Sequence, residues 1–317
     1  MYEVLCSYSI KSKKDNRIMI SEGISNFLQL VLSGLAVGSV YAIVALGFVI
    51  IYKATDVFNF AQGELMTLGA FICYFFIVQL HIHTIWAFLL TFVTTALIGM
   101  ITEELFFKPL VGEPIFSVIM VTVGLSIFLK GVIGLLWGYM IKKFPPFVSE
   151  NPISFAGIVI SPVHLATIII TGVLIVIFAL FFKFSVMGIA MRAVANDQDA
   201  SLLMGISVRR IFGLSWAISA IVASIGGILL SSITILHPSS SFVGIKVFPA
   251  VVLGGLDSVL GAILGGIIIG VVENLAGGYI DPLVGGGVKE ITAFVILIMI
   301  MMIRPYGLFG KEEIERV

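Results

Sequence analysis

An all-α protein that crosses a membrane several times is the class this sequence predicts, and three observations carry it. First, 59% of the 317 residues are hydrophobic and 11% are charged, where a soluble domain carries about a quarter charged residues. With a mean hydropathy of +1.17, the chain lacks the polar side chains to cover a surface in water. Second, apolar runs of roughly 18 residues or more recur along it, the length that spans a bilayer as a helix. Third, the 33 glycines suit membrane helices, which pack closely through small residues.

The predicted spans, in order, are 27–52, 65–80, 84–102, 115–137, 163–182, 211–233, 247–275 and 288–303. Residues 1–20 read as an N-terminal extension with Met19 as an alternative start, and 21–317 as a single transmembrane domain. No apolar core of signal-peptide length follows the early charges Lys11, Lys13, Lys14 and Arg17. The first span is long and glycine-interrupted, which predicts tilt, a break or a re-entrant turn. The second opens on the polar turn NFAQGE. There Glu64 suits the positive end of a helix dipole, and Asn59, Gln62 and Glu64 are candidates to line a translocation pathway. Lys130, in the fourth span, is expected to snorkel to an interface.

Between the fifth and sixth spans lies the polar stretch RAVANDQDASLLMGISVRR, residues 192–210. Asn196 and Asp197 are good helix N-caps, Asp199 favours the positive end of the dipole, and Gly205 suits a left-handed stop. The pattern predicts a helix of about two turns presenting Leu202, Leu203 and Met204. Two turns do not persist alone in water, so this helix rests either on lipid headgroups or on a protein partner.

Lys183, Arg192, Arg209 and Arg210 place the loop 183–210 in the cytoplasm, and Arg304, Lys311 and Arg316 place the C-terminus there. An even number of crossings must then join 210 to 304, yet three spans are drawn. The segment 247–275 is therefore expected to be broken, at the polar turn around Asp257 and Ser258. The ten residues before that turn would reach about 15 Å as a helix, half a bilayer. Gly254, Gly255 and Asp257 join the pathway candidates on this ground. Glu273, near the end of the same segment, reads as interfacial. Counting back from the loop puts 53–64 and 103–114 inside and the N-terminus outside, against the pull of the four early charges.

Other chemistries have no footing. Zero net charge gives no field for nucleic acid. Cys6 and Cys73 form no framework or zinc spacing, and His81 and His83 face different sides of a helix. No cofactor, metal or catalytic residue is predicted. Phosphate-loop, H-E-x-x-H and G-x-S-x-G motifs are missing, so any ATP that drives this chain is bound by another.

The residues also carry a family resemblance. GLAVGSVYAIVALGFVIIY, VFNFAQGELMTLGAF, MGIAMRAVANDQDASLLMGISVRRI, AVVLGGLDSVLGAILGGIIIGVVENL and RPYGLFG resemble, in order, motifs of branched-chain amino acid ABC importer permeases of the LivH type. Gln62 stands where that family usually has His, Asp257 where it has glycine, and Leu260 where proline is common. The resemblance implies an inner-membrane, multi-pass permease that moves leucine, isoleucine or valine by alternating access. It also implies two nucleotide-binding ATPase subunits, a second homologous permease and an external solute-binding protein as partners. The short cytoplasmic helix would then dock into an ATPase subunit through Ala200, Leu203, Met204 and Gly205. Urea or another amino acid is the alternative cargo. A secondary transporter or channel, and an intramembrane enzyme using Glu64 and Glu273, are the rival classes.

Overall fold

The structure, a computed structural model, describes residues 2–110, 113–148, 151–155, 158–304 and 306–310, with side chains from residue 23 onward apart from 154, 155 and 158. The expected extension over 1–20 therefore lies outside the residues whose side chains are described. The helices are α1 (Tyr2–Thr55), α2 (Gln62–Tyr74), α3 (Thr84–Thr102), α4 (Ile115–Trp137), α5 (Pro162–Phe184) and α6 (Val186–Asn196). They continue as α7 (Gln198–Leu203), α8 (Val208–Ile233), α9 (Phe242–Gly254), α10 (Val259–Tyr279), α11 (Asp281–Val284) and α12 (Val288–Ile303). Among the described residues, seven helical segments are long and apolar enough to cross a membrane, and α9 is a shorter apolar helix. α12 adds another 16-residue apolar helix, VKEITAFVILIMIMMI.

The expected break is present. α9 ends at Gly254, the chain turns through 255–258, and α10 begins at Val259, where the Ser258 side chain accepts a hydrogen bond from Gly261 N–H at 3.0 Å. Leu308 N–H donates to Leu253 O at 2.8 Å and Phe309 N–H to Gly254 O at 3.1 Å. The break thus shares a face with the tail that follows α12. At the other end, Asp281 Oδ1 accepts from Val288 N–H at 2.7 Å, which joins the end of α10 to the start of α12. Four apolar helices, α8, α9, α10 and α12, then lie between 210 and 304, an even number.

One expectation needs correction: α9 is not a half-helix. With the 3₁₀ turn Pro238–Ser241 that leads into it, the segment runs 17 residues, roughly 25 Å. Its first half is hidden in the sequence by Lys246, a charge that the structure neutralises from neighbouring helices.

α1 is continuous, so its glycines mark contact rather than a break. It packs most extensively on α10. A Cβ added to Gly38 would stand 2.8 Å from Ile267 O, and one added to Gly270 would stand 2.2 Å from Gly38 Cα. Backbones this close leave no room for a methyl group, which is the reason that Gly34 and Gly38 of α1 lie against the Gly266–Gly270 stretch of α10. Asn274 Nδ2 donates to Leu30 O at 2.7 Å across the same seam.

Among the described residues the departure from all-α is small. Ile153–Phe155 (β1) pairs antiparallel with Ile158–Ile160 (β2), Ile153 opposite Ile160. The hairpin lies in the connection between α4 and α5. In the same layer, Lys142 and Leu236 exchange backbone hydrogen bonds at 2.9 and 3.0 Å.

Candidate functional site

Between α6 and α8, α7 forms as a capped peg. Asp197, rather than Asn196, is the cap: its Oδ1 accepts from Ala200 N–H at 2.9 Å, while Asn196 closes α6. The far end stops as expected, with Gly205 at φ +84° and Ile206 N–H donating back to Ser201 O at 2.9 Å. Ser201 is buried against the bundle and fixes the orientation of the peg. That leaves Leu203 at 89% and Met204 at 83% exposed, with Leu202 and Ala200 exposed beside them. These apolar side chains form a bare patch on an element capped at one end and stopped by a left-handed glycine at the other.

The second region is a polar seam within the bundle. Gln62 packs on Gly47, where an added Cβ would stand 2.2 Å from Gln62 Nε2. Gly47 is eight residues before the end of α1, so α2 begins about 12 Å back along α1 from that end, buried within the bundle. A helix end there must satisfy its backbone from the protein. Asn59 does most of this: its Oδ1 accepts from Ala61 N–H at 3.1 Å and its backbone O from Gln62 N–H at 3.1 Å. Asn59 Nδ2 donates to Gln62 Oε1 at 3.3 Å. Ser219 Oγ, on α8, lies 2.9 Å from Gly47 O and 3.1 Å from Gln62 Oε1, and its hydrogen serves one or the other. Among the described residues Gln62 Nε2 has no partner. The Glu64 carboxylate, also buried, is turned toward Ser126 and Ser241, with Lys130 of α4 acting on it.

The six pathway candidates therefore occupy two places. Asn59, Gln62 and Glu64 sit buried around the start of α2. Gly254, Gly255 and Asp257 sit at the C-terminal end of α9, about 15 Å along the helix from Gly244, which touches Gly63. An added Cβ on Gly255 would meet Gly310 N at 2.5 Å, and one on Gly254 would meet Gly261, so these glycines admit the tail and the turn. Asp257 is exposed and lines a cavity of about 410 Å³ with Tyr52, Phe58 and Phe248.

A third cluster escaped the sequence reading. Lys246, 5% exposed, lies with Nζ 2.9 Å from Glu273 Oε1 and 2.6 Å from Glu290 Oε2, and Tyr41 donates from its hydroxyl to Glu273 Oε2 at 2.8 Å. Glu273 is 1% exposed, so it is a buried partner and not an interfacial residue. The network ties α1, α9, α10 and α12 together. Its signal was available: an ionisable residue inside an apolar run implies a partner of opposite charge, and SFVGIKVFP holds one lysine.

The comparisons with known proteins fit this architecture. The family model described as branched-chain amino acid transport system / permease component matches residues 30–304. The chain is 32% identical to the high-affinity branched-chain amino acid transport system permease protein BraD of Pseudomonas aeruginosa, over 93% of this chain and 99% of that one. It is 29% identical to the permease protein LivH of Escherichia coli K12, over 94% of this chain and 100% of that one. A probable LivH from Methanocaldococcus jannaschii is 29% identical over 85% of this chain and 88% of its own.

Proposed function

This chain belongs to the family of permease components of branched-chain amino acid transport systems, and from that premise we propose that it forms the membrane passage of an ATP-driven importer for leucine, isoleucine and valine. The observation that carries the reading is α7: a capped cytoplasmic helix whose Leu203 and Met204 are bare. A carrier working without a motor has no use for a rigid apolar peg on its inner face. A subunit driven from outside needs one.

The mechanism follows from rigidity. Two nucleotide-binding ATPase subunits close on ATP and carry the docked pegs of two permeases with them. Ser201, buried under α7, and the cap at Asp197 pass that movement to α6 and α8 without bending. The bundle then rocks between outward-open and inward-open states, with an external solute-binding protein delivering cargo. Asn59, Gln62 and Ser219 mark the depth at which polar groups meet the passage, and Gln62 Nε2 is the donor left over for water or cargo. A branched aliphatic side chain offers few polar anchors, so the delivering protein carries most of the selectivity.

Uptake tests this. In a strain lacking other leucine uptake systems, deleting the gene should abolish entry of labelled leucine and leave urea entry unchanged. Leucine uptake at the parental rate, or loss of urea entry alone, would overturn the proposed cargo.

A further inference from the structure

A cavity of about 180 Å³ opens on the cytoplasmic side between the end of α1, the π-helical turn Glu103–Phe107 after α3, the start of α4 and the start of α8. Its chemistry is one-sided. Glu113 stands exposed in its wall, Glu103 lies within, and among the described residues no lysine or arginine lines it. Glu103 is 5% exposed, its Oε2 set close to Gly213.

No hydrogen bond or ion pair among the described residues holds that carboxylate. Lys108 is taken by Glu104 at 2.7 Å, and Lys108 and Arg209 act on Glu103 only from beyond contact. A carboxylate without a protein partner, facing a cavity with largely apolar walls, is favoured by a cation that reaches it. Apart from Thr55 and Gln198, the rest of the wall is built from apolar and aromatic side chains: Phe107 stacks on Trp216 with ring centroids 4.3 Å apart, and Phe212 closes the side. Gln198, the first residue of α7, lines the same cavity.

We propose that this cavity is a ligand site for a primary ammonium ion on a short branched aliphatic body, with the ammonium on Glu103 and the body against Phe107, Phe212 and Trp216. A bound ligand joins the bundle to Gln198 and so holds the peg, which makes the site a brake operated from the cytoplasm. That regulatory consequence rests on the coupling role given to α7 above; the binding itself does not. The same ammonium chemistry is carried by a free amine and by the amino end of the transported amino acid.

Isothermal titration of the purified, assembled complex separates these sources, using isopentylamine, leucine and isovalerate as probes. Isopentylamine, leucine or both should bind, isovalerate should not, and Glu103→Gln, which keeps the shape of the site, should weaken binding at least tenfold. Binding of isovalerate as tight as that of isopentylamine would overturn the proposal, as would the absence of binding by either ammonium probe. Leucine held only in the passage would bind Glu103→Gln as tightly as the parent, which also overturns it. Leucine uptake by the parent complex, measured in parallel, reports on the transport reading independently.

Discussion

Lys246→Met should lower the stability of the folded chain by about 3–5 kcal/mol, because it strips Glu273 of its cation in a place where water cannot replace it. For a chain of this size that is a fall of roughly 6–10 °C in melting temperature, readable by fluorescence size-exclusion of the detergent-solubilised protein. Adding Glu273→Gln should restore most of the loss, since the buried charge goes with its partner. Glu290 is largely exposed and tolerates losing its lysine. A single variant that melts with the parent, or a double variant no better than the single, would show that the network does not hold α9 to α10 and α12.

Leu203→Asp acts at the other extreme of burial. The residue is almost fully exposed, so the change should leave yield and melting temperature within experimental scatter. Docked in an apolar groove, however, a carboxylate there costs what a central interface contact is worth, about 2 kcal/mol or more. Uptake should fall at least tenfold, and copurification of the ATPase subunits should fall with it. Gly205→Val should give the same phenotype by a different route, since a β-branched residue at φ +84° unwinds the stop of the peg. Normal uptake in both variants would exclude α7 as the coupling element.

Most of the fold was legible because its rules are local. Hydropathy drew most span limits to within a few residues, as in α4 and α12, and the cap and glycine stop of α7 were plain in NDQDASLLMG. Parity of crossings found the break at Asp257 without any structural information. What failed was non-local. Nothing in ALGF says that Gly47 makes room for Gln62, or that α2 therefore starts beside the body of α1 rather than at its end. Lys246 masked the first half of α9 because its neutralising partner lies 27 residues away on another helix. The first span's glycines predict flexibility and closeness equally well, and only the facing glycines of α10 decide for closeness. The site divides the same way: the peg is a continuous segment and was read whole. The polar seam and the acidic cavity join α1, α2, α3, α4 and α8, and were read as isolated residues or missed.

The central claim is that α7 receives force from a separate motor, and the direct test is a photo-crosslinking amino acid placed at position 203 of the assembled transporter. The account predicts a crosslink to the nucleotide-binding subunit, with a yield that changes when ATP is added. Crosslinks from that position to lipid alone, with the ATPase subunits present and bound, would contradict it.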